Sequence, residues 1–420
     1  MSESSTTKLR LGQRSDLHHR LIALPDGKKG QDIVAERHDI VLLLDASKSN
    51  PNGDPDTGNM PRMQPDTLKG LVTDVCLKRK VRNFFSLFGP QGELLSERKW
   101  ADGYGILIHE DAVIQNLLER APVPDLAKRI FTEEHKQSAK EWVGVKTKAN
   151  GNTAKTAGEN DGDEAPDSAP EVAKDGDDGK KAKQPKKKGP TEFEYRSWRD
   201  ALCQTFFDVR AFGGVVATEG PLKGSFYGQI RGPIQFSFGE SLDKVLQLDF
   251  SITRCAVASE KEKSGAGDGG DESGANRTMG RMHKVDYGLY RAHIFLSPAF
   301  AMRTGFTYYD LDNFLFAVQN MYNPVADATH ARPGGMRVVG LVDFQHTSAL
   351  GNEHAHKLFD LVCVKKKDTT LEYPRSLDDY HGKAPLCGAK VGRTEQVTAR
   401  RLVWDVPEMV AENGEPDTGK

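Results

Sequence analysis

The sequence predicts an α+β fold, because segments typical of strands and helices follow one another in the order strand, helix, strands, helix, strands. This order suits a βαββαβ sheet of the ferredoxin-like, or RRM-like, kind. The chain has 420 residues, and domains commonly take roughly 100 to 200 residues, so one large domain or two smaller ones are possible. Apolar segments resume after each of two polar tracts, so we interpret the tracts as insertions within one folded unit.

The first strand and helix are expected near the N-terminus. Residues 40–44 are a continuous apolar run, Ile-Val-Leu-Leu-Leu, which is typical of a buried central strand. A turn-rich loop follows over residues 45–65. Asp66 or Thr67 is then expected to cap a helix, because apolar residues recur at three- and four-residue steps until Gly89-Pro90 ends it.

The later elements lie beyond the first polar tract. Residues 229–238 alternate between polar and apolar side chains, so one strand is predicted with its apolar face formed by Ile230, Ile234, Phe236 and Phe238. A helix is predicted over residues 307–322 from the capping-box spacing at its start. Residues 338–344 and 358–364 are predicted to be strands.

The two polar tracts differ in length but share a composition. Residues 151–190 contain no Leu, Ile, Met, Phe, Tyr, Trp or Cys, so they cannot bury enough apolar surface to offset their ordering entropy, and we expect disorder. The lysines at the end of this tract are interpreted as a solvated linker rather than a phosphate contact. Residues 259–277 are expected to form a shorter flexible excursion.

Composition excludes several classes of protein. The N-terminus lacks the apolar core of a signal peptide, and no stretch approaches the roughly 18 apolar residues of a membrane span, so we expect a cytoplasmic protein. The five cysteines are scattered without a C-x-x-C pair, which argues against a disulfide framework and a thiolate zinc site. The formal net charge of -2 gives no global reason to expect a polyanion partner.

The local charge is different. Residues 61–90 hold six bases and only two acids, and Lys and Arg that neutralise phosphates supply most nucleic-acid affinity. Lys78 and Arg82 are four residues apart and therefore share one face of the predicted helix. We favour RNA or single-stranded DNA binding here over the plainer interpretation of a solvated helix face.

The loop at residues 50–54, Asn-Pro-Asn-Gly-Asp, is the sharpest local feature. An EF-hand frame starting at Asn50 would place Pro55 at the required glycine and Pro61 at the required glutamate, so calcium is excluded. A plain turn cluster remains possible, because these residues are the usual turn formers. The position of the loop, between a buried strand and the N-terminus of a basic helix, favours phosphate contact.

Other motifs give little support for catalysis. No segment fits a P-loop or a G-x-G-x-x-G turn. His346, His354 and His356 lie near Asp343, but their spacing matches no helical H-E-x-x-H pattern, so mobile surface histidines are favoured over a metal site. We predict neither a cofactor nor a resident metal.

Several blocks occur together in a recognisable order. They are residues 50–55 (NPNGDP), 60–62 (MPR), 72–82 (VTDVCLKRKVR), 208–213 (DVRAFG), 228–236 (GQIRGPIQF), 251–254 (SITR), 279–284 (MGRMHK), 287–291 (YGLYR) and 304–306 (TGF). In this order they resemble the Cas7 backbone subunits of type I-C CRISPR Cascade complexes. The chain departs from that pattern in its longer 151–190 tract and in Met282, where a base is expected.

The resemblance implies an RRM-like palm of the RAMP type with finger and thumb insertions. It implies an N-terminal arm at residues 1–38, a palm at 39–364 and a C-terminal extension at 365–420. The finger is expected at about residues 90–200 and the thumb at about 254–287.

In function, the resemblance implies a non-catalytic scaffold that oligomerises along one crRNA, joins other Cascade subunits and presents the guide for pairing with target DNA. The bases would neutralise phosphates, Asn50 would donate hydrogen bonds and Met282 would pack against a displaced base. The full expected RNA-binding set is Lys48, Asn50, Asn52, Gly53, Arg62, Lys78, Arg79, Arg82, Arg210, Phe212, Gln229, Arg231, Arg254, Met282 and Lys284.

Two enzymatic alternatives remain open. Related backbone subunits of type III systems cut target RNA with a loop aspartate and a metal, and Asp45 or Asp54 would be the candidates in this chain. A guide-processing endoribonuclease would need a general base, for which His109 and His283 are the candidates.

Overall fold

The computed structural model describes residues 29–90, 92–95, 100–110, 112–119, 122–136, 142, 190–217, 220–253, 279–323 and 335–409. The tracts expected to be disordered or flexible, most of the N-terminal arm and Arg254 therefore lie outside the described residues. No helix in these ranges is long and apolar enough to cross a bilayer.

The strands are β1 (His38–Ser49), β2 (Gly53–Asp54), β3 (Met60–Pro61), β4 (Lys69–Val72), β5 (Gly213–Val215), β6 (Gln229–Arg231), β7 (Ile234–Phe236), β8 (Gly239–Lys244), β9 (Gln247–Thr253), β10 (Met279–Leu296), β11 (Met336–Gln345), β12 (Cys363–Lys366), β13 (Tyr380–Lys383), β14 (Lys390–Val391) and β15 (Val397–Trp404). The helices are α1 (Asp74–Leu87), α2 (Ile114–Glu119), α3 (Val123–Glu133), α4 (Glu192–Thr205), α5 (Phe207–Phe212), α6 (Pro298–Thr304), α7 (Tyr308–Asn320) and α8 (Ala355–Phe359).

Strand β1 lies at the centre of a mixed α/β fold. It pairs antiparallel with β10 on one side and with β11 on the other, and the main sheet runs in the order β14-β15-β11-β1-β10-β8-β4. Strands β7 and β9 also pair with β10. The apolar run at residues 40–44 is buried on both sheet faces, so the prediction of a buried central strand is confirmed.

Both faces of β1 are covered, because its successive side chains point in opposite directions. Leu42 and Leu44 belong to a core that also contains Phe84 of α1 and Phe314 of α7. The opposite face carries Leu43 and its neighbours, which pack with the segment that follows β11. Burial on both faces explains why this strand is continuously hydrophobic rather than alternating.

A second unit, the helical lobe, comprises the described parts of residues 100–136 and 190–230. Its own core joins helices α2, α3 and α4 through Leu118, Ile130, Trp198 and Leu202. It lies between α1 and β7 and overlaps the segment expected to form the finger, residues 90–200, but extends beyond it to residue 230.

The first predicted helix begins later than expected. Residues 69–72 form β4, whose burial alternates as in a strand, and α1 begins after Thr73. The Thr73 hydroxyl accepts a hydrogen bond from the Cys76 amide, which makes Thr73 the N-cap. Apolar spacing alone could not separate a short strand from the first helical turn.

Two predicted strands are also wrong in part. Residues 229–238 divide at Gly232-Pro233 into β6 and β7, which belong to different sheets, and Phe238 is exposed. A side chain at Gly232 would collide with the Phe212 backbone 2.3 Å away, so the chain needs glycine at this crossing. Residues 358–364 contain the end of α8 and only the start of β12.

The remaining elements are confirmed. Thr307 and Asp310 form the predicted capping box at the start of α7, and β11 contains residues 338–344. The boundary after residue 364 needs correction, because β15 pairs with β11 in the main sheet. Residues 397–404, assigned to a C-terminal extension, thus belong to the main sheet.

A buried charge network links the start of β1 to β11 and β15. His38 Nδ1 lies 3.0 Å from Asp343 Oδ1, and Arg400 forms an ion pair with the same carboxylate. His346 bonds Asp39 at 3.0 Å and is buried, which corrects its interpretation as a surface histidine. No group of three or more metal-ligating side chains occurs within the described ranges.

We predict that Asp343→Asn lowers the free energy of unfolding by about 3–5 kcal/mol, because it removes the buried carboxylate charge that His38 and Arg400 share. Thermal and denaturant unfolding measure this loss. The exposed Asp66 provides the control Asp66→Asn, which should change stability by less than about 0.5 kcal/mol. Equal effects of the two substitutions would contradict the structural role of Asp343.

The same network predicts a pH dependence. Burial alone would raise the pKa of Asp343, but His38 and Arg400 outweigh it and hold the pKa below its ordinary value. The stability that Asp343 contributes is therefore present above about pH 4 and is lost as the pH falls through the folded-state pKa. In the Asp343→Asn variant, acid unfolding should lack the contribution that comes from protonation of Asp343.

Candidate nucleic-acid interface

A groove of about 700 Å³ opens where β1 ends. Its walls are the loop that follows β1, the first turns of α1 and the outer part of the β9–β10 ribbon. Among the lining residues, five cationic side chains face one carboxylate, that of Asp74; the cations are Arg62, Arg79, Lys80, Arg281 and Lys284. We call this site the basic groove.

The loop at residues 50–54 is held to the start of α1 by its own side chains. Asn52 Oδ1 accepts hydrogen bonds from the amide and the hydroxyl of Thr73, both at 2.9 Å. Asn50 Nδ2 donates to the Asn59 carbonyl at 2.8 Å. Strands β2 and β3 then close the loop as a hairpin. Asn50 and Asn52 therefore shape the turn that forms one wall of the basic groove.

The start of α1 supplies the floor of the groove. Free amides at a helix N-terminus attract anions, although Asp74 lies in this first turn. Asp74 forms an ion pair with Lys78 at 2.8 Å, so the two charges compensate each other. Arg79 lines the groove and pairs with the exposed Glu110. Lys80 also lines the groove but is almost fully buried, with its ammonium 5.8 Å from the centre of the Tyr322 ring.

The β9–β10 ribbon forms the opposite wall. Arg281 is exposed and makes no ion pair within the described part of the chain. His283 Nδ1 lies 2.5 Å from Asp249 Oδ1 across the ribbon. Met282 pairs with Phe250 and adds apolar surface beside these charges. The groove thus offers cations and apolar side chains together, as surfaces for unpaired nucleic acid do.

The structure brings about half of the expected RNA-binding residues into the basic groove: Asn50, Asn52, Gly53, Arg62, Arg79, Met282 and Lys284. Lys48 lies just before it, in a left-handed backbone conformation, and pairs with Asp286. Lys78 is outside the lining and is neutralised by Asp74. Gln229 and Arg231 lie on β6, away from the groove. Arg254 is outside the described residues.

Three expected contacts are buried elsewhere. Arg82 Nε donates to Asp208 Oδ2 at 3.0 Å, and Arg210 makes a two-point ion pair with Asp310. Phe212 packs in the core between aromatic rings. All three side chains are buried, which argues against their predicted role as RNA contacts.

The Arg210 guanidinium makes further hydrogen bonds besides its ion pair with Asp310. It donates to the carbonyls of Cys203 at 2.6 Å and Gly103 at 2.9 Å. Burial alone would lower the pKa of Arg210, but Asp310 outweighs it and the pKa is raised. Arg210 stays charged and fastens the helical lobe to α7.

The sequence analysis missed Arg281 and Lys80 as groove residues. Arg281 lies within the block at residues 279–284 that carried the family resemblance. Arg281 and Met282 are successive residues of a strand and point to opposite faces, and this was the signal that could have identified Arg281. Lys80 was set aside because it is not on the face shared by Lys78 and Arg82. Arg82 on that face is buried, and Lys80 lines the groove although its own side chain is also almost fully buried.

Fold and charge together define a class, an α/β protein with a groove lined mainly by cations. The family model for CRISPR-associated protein Cas7 matches residues 36–384. Because this match covers most of the chain, the protein belongs to the Cas7 family.

Individual relatives are more distant or match only a short region. A CRISPR-associated protein Cas7 of Haloferax volcanii is 47% identical over 47 residues, which is 11% of this chain and 14% of that protein. A chain of a CRISPR RNA-guided surveillance complex, pre-nicking, aligns over 73% of this chain and 78% of its own length, with 12% identity and a TM-score of 0.35. A chain of a second CRISPR RNA-guided surveillance complex aligns over 73% of this chain and 68% of its own length, with 10% identity and a TM-score of 0.32. TM-scores this low carry no functional conclusion.

We predict that Asn52→Ala destabilises the protein by about 1–3 kcal/mol, because the Thr73 amide and hydroxyl both lose their acceptor. Denaturant unfolding measures this loss. The matched control is Asn50→Ala, which removes only one side-chain donor and should cost about 1 kcal/mol or less. A larger loss in the Asn50 variant would contradict the assigned roles.

Proposed function

We propose that this chain is a crRNA-binding scaffold subunit of a type I-C CRISPR interference complex. The basic groove carries the proposal, because its lining holds five cations and one carboxylate and includes the exposed Arg281, which makes no ion pair with a described residue. Of the other cations, Arg62 and Arg79 pair with Asp54 and Glu110, and Lys80 is almost fully buried. Family membership supports the connection to CRISPR RNA. Several copies would lie along one guide in the cytoplasm, together with other Cascade subunits, and leave the bases available to target DNA.

The palm of this scaffold is proposed to be RRM-like and of the RAMP type. The strand order β11-β1-β10-β8 and the presence of α1 and α7 beside one sheet face support this. The helical lobe is the proposed finger. The thumb is proposed to include the outer β9–β10 ribbon, although residues 285–287 already pair with β1 and so belong to the palm sheet.

Assignment to the type I-C group rests on the ordered sequence blocks. Five of the nine blocks contribute residues to the basic groove, from residues 50–62, the start of α1, Ile252 and residues 281–284. The blocks at residues 208–213, 228–236, 287–291 and 304–306 do not line it. This convergence supports their use in one binding site rather than in unrelated turns.

We propose that the subunit has no catalytic activity of its own. Asp45 is buried and bound by Arg337, while Asp54 pairs with Arg62 and accepts a hydrogen bond from the Asp56 amide. These bonds occupy the two candidate metal ligands of the RNA-cutting alternative. His109 is exposed and bonds the Glu110 carbonyl, away from the lining of the groove.

We predict that the protein purifies with bound RNA and that ribonuclease treatment reduces its particle size. Arg281→Glu should weaken RNA binding about tenfold or more and reduce the slope of log affinity against log salt by about 1, because a phosphate contact is lost. Absorbance ratio, size-exclusion chromatography and fluorescence anisotropy at several salt concentrations provide the measurements.

The control for this charge reversal is Arg375→Glu, at an exposed arginine on the loop between β12 and β13. It should leave affinity and salt slope unchanged. Lys78→Glu should have little effect on RNA, since Lys78 is paired with Asp74 outside the groove lining. An unchanged salt slope in Arg281→Glu would remove the ribbon from the proposed interface.

We further predict that the guide-loaded protein leaves complementary RNA intact in the presence of Mg²⁺. Gel analysis of labelled RNA checks this expectation. Cleavage that disappears in Asp45→Ala or Asp54→Ala would overturn the scaffold proposal in favour of a metal-dependent nuclease. Trimming of precursor crRNA to defined ends by the protein alone would add a processing activity.

A further inference from the structure

We propose a second binding surface, for a single strand of DNA, on the outer face of the β5–β6 hairpin. This inference rests on the proposed function, because it assumes that the basic groove is taken by the guide. The surface is defined by Val215, Phe226, Gln229 and Arg231. It uses two residues that the sequence placed with the guide contacts but that the structure separates from the groove.

The hairpin presents these side chains to solvent. Val215 pairs with Gln229, and Gly213 pairs with Arg231, so the outward side chains lie on one face. Ile230 points the other way and is buried in the core of the helical lobe. Phe226 comes just before β6 and is 79% exposed, which leaves an aromatic ring open to solvent.

The charge of this surface is positive. Arg231 is exposed, and neither it nor Arg196 makes an ion pair with any residue that the structure describes. Arg196 is one turn before Arg199 on α4, and the Arg199 guanidinium lies 5.8 Å from the centre of the Tyr227 ring. The nearest carboxylates are engaged, since Glu192 accepts from Tyr227 at 2.6 Å and Asp200 pairs with Arg199 at 2.5 Å.

An exposed aromatic ring beside unpaired arginines fits single-stranded nucleic acid. Bases of an unpaired strand stack on such rings with little sequence preference, while arginines bind the phosphates. Bases within a duplex are already stacked and are closed to Phe226. The chemistry therefore favours an unpaired strand over a duplex.

The hairpin lies outside the basic groove. Strand β7, which continues from β6, pairs with residues 294–296 of β10, whereas the groove is lined by residues 281–284 of that strand. The groove comes nearest to the hairpin in sequence at Phe238, and none of the four hairpin residues lines it. When a guide pairs with one strand of a DNA duplex, the other strand is left unpaired, and this is the strand we assign to the hairpin.

The test uses guide-loaded protein and a fluorescent oligothymidine that cannot pair with the guide. Fluorescence anisotropy should show binding by the parent protein, and affinity should fall at least tenfold in the double variant Phe226→Ala with Arg231→Glu. The amount of RNA that copurifies should not change. The matched control is Leu350→Ala with Arg375→Glu, which alters an exposed apolar residue and an exposed arginine elsewhere and should retain binding.

Two results would overturn the inference. One is that the hairpin variant binds oligothymidine as tightly as the parent protein does, or that the parent protein itself does not bind it. The other is loss of copurifying RNA in the hairpin variant, which would assign the surface to the guide. Failure of the proposed function is distinguishable, because a protein that carries no RNA can still be tested for the hairpin-dependent binding of oligothymidine.

Discussion

Two buried arginine–aspartate pairs hold the helical lobe against helices α1 and α7. Helix α5 carries Asp208, which bonds Arg82 of α1, and Arg210, which bonds Asp310 of α7. Asp208 also accepts hydrogen bonds from two backbone amides of the lobe, at 2.9 and 3.1 Å. Loss of one partner from such a pair leaves an uncompensated buried charge, which is more costly than loss of a surface contact. The positions of α1, α7 and the lobe are therefore interdependent.

This arrangement explains why a basic sequence segment gave a mixed prediction. The run from Lys78 to Arg82 looks uniform in the sequence, but its members have different environments. Arg82 is buried in an interhelical pair, Lys78 compensates Asp74, and Arg79 and Lys80 reach the groove. Charge patterning indicated the correct helix, whereas only tertiary packing determines which cations remain available to a ligand.

Secondary structure was predictable where a local signal was strong. The apolar run of β1, the capping box of α7 and the apolar residues of β11 each specify one element. Prediction failed where two local signals overlapped, as at β4, where apolar spacing suited a helix until Thr73 supplied the actual cap. The crossing at Gly232 depends on a close approach to the Phe212 backbone, which is distant in sequence and therefore invisible to local patterns.

The pairing of β1 has a consequence for synthesis of the protein. Residues 38–49 are made early, yet their neighbours in the sheet are residues 285–296 and 336–345. Both edges of this apolar strand therefore lack their native partners until most of the chain has left the ribosome. Contacts so distant in sequence slow folding, and an unpaired apolar strand promotes aggregation in the meantime. Expression at reduced translation temperature or with added chaperones should matter more for this protein than its final stability would suggest.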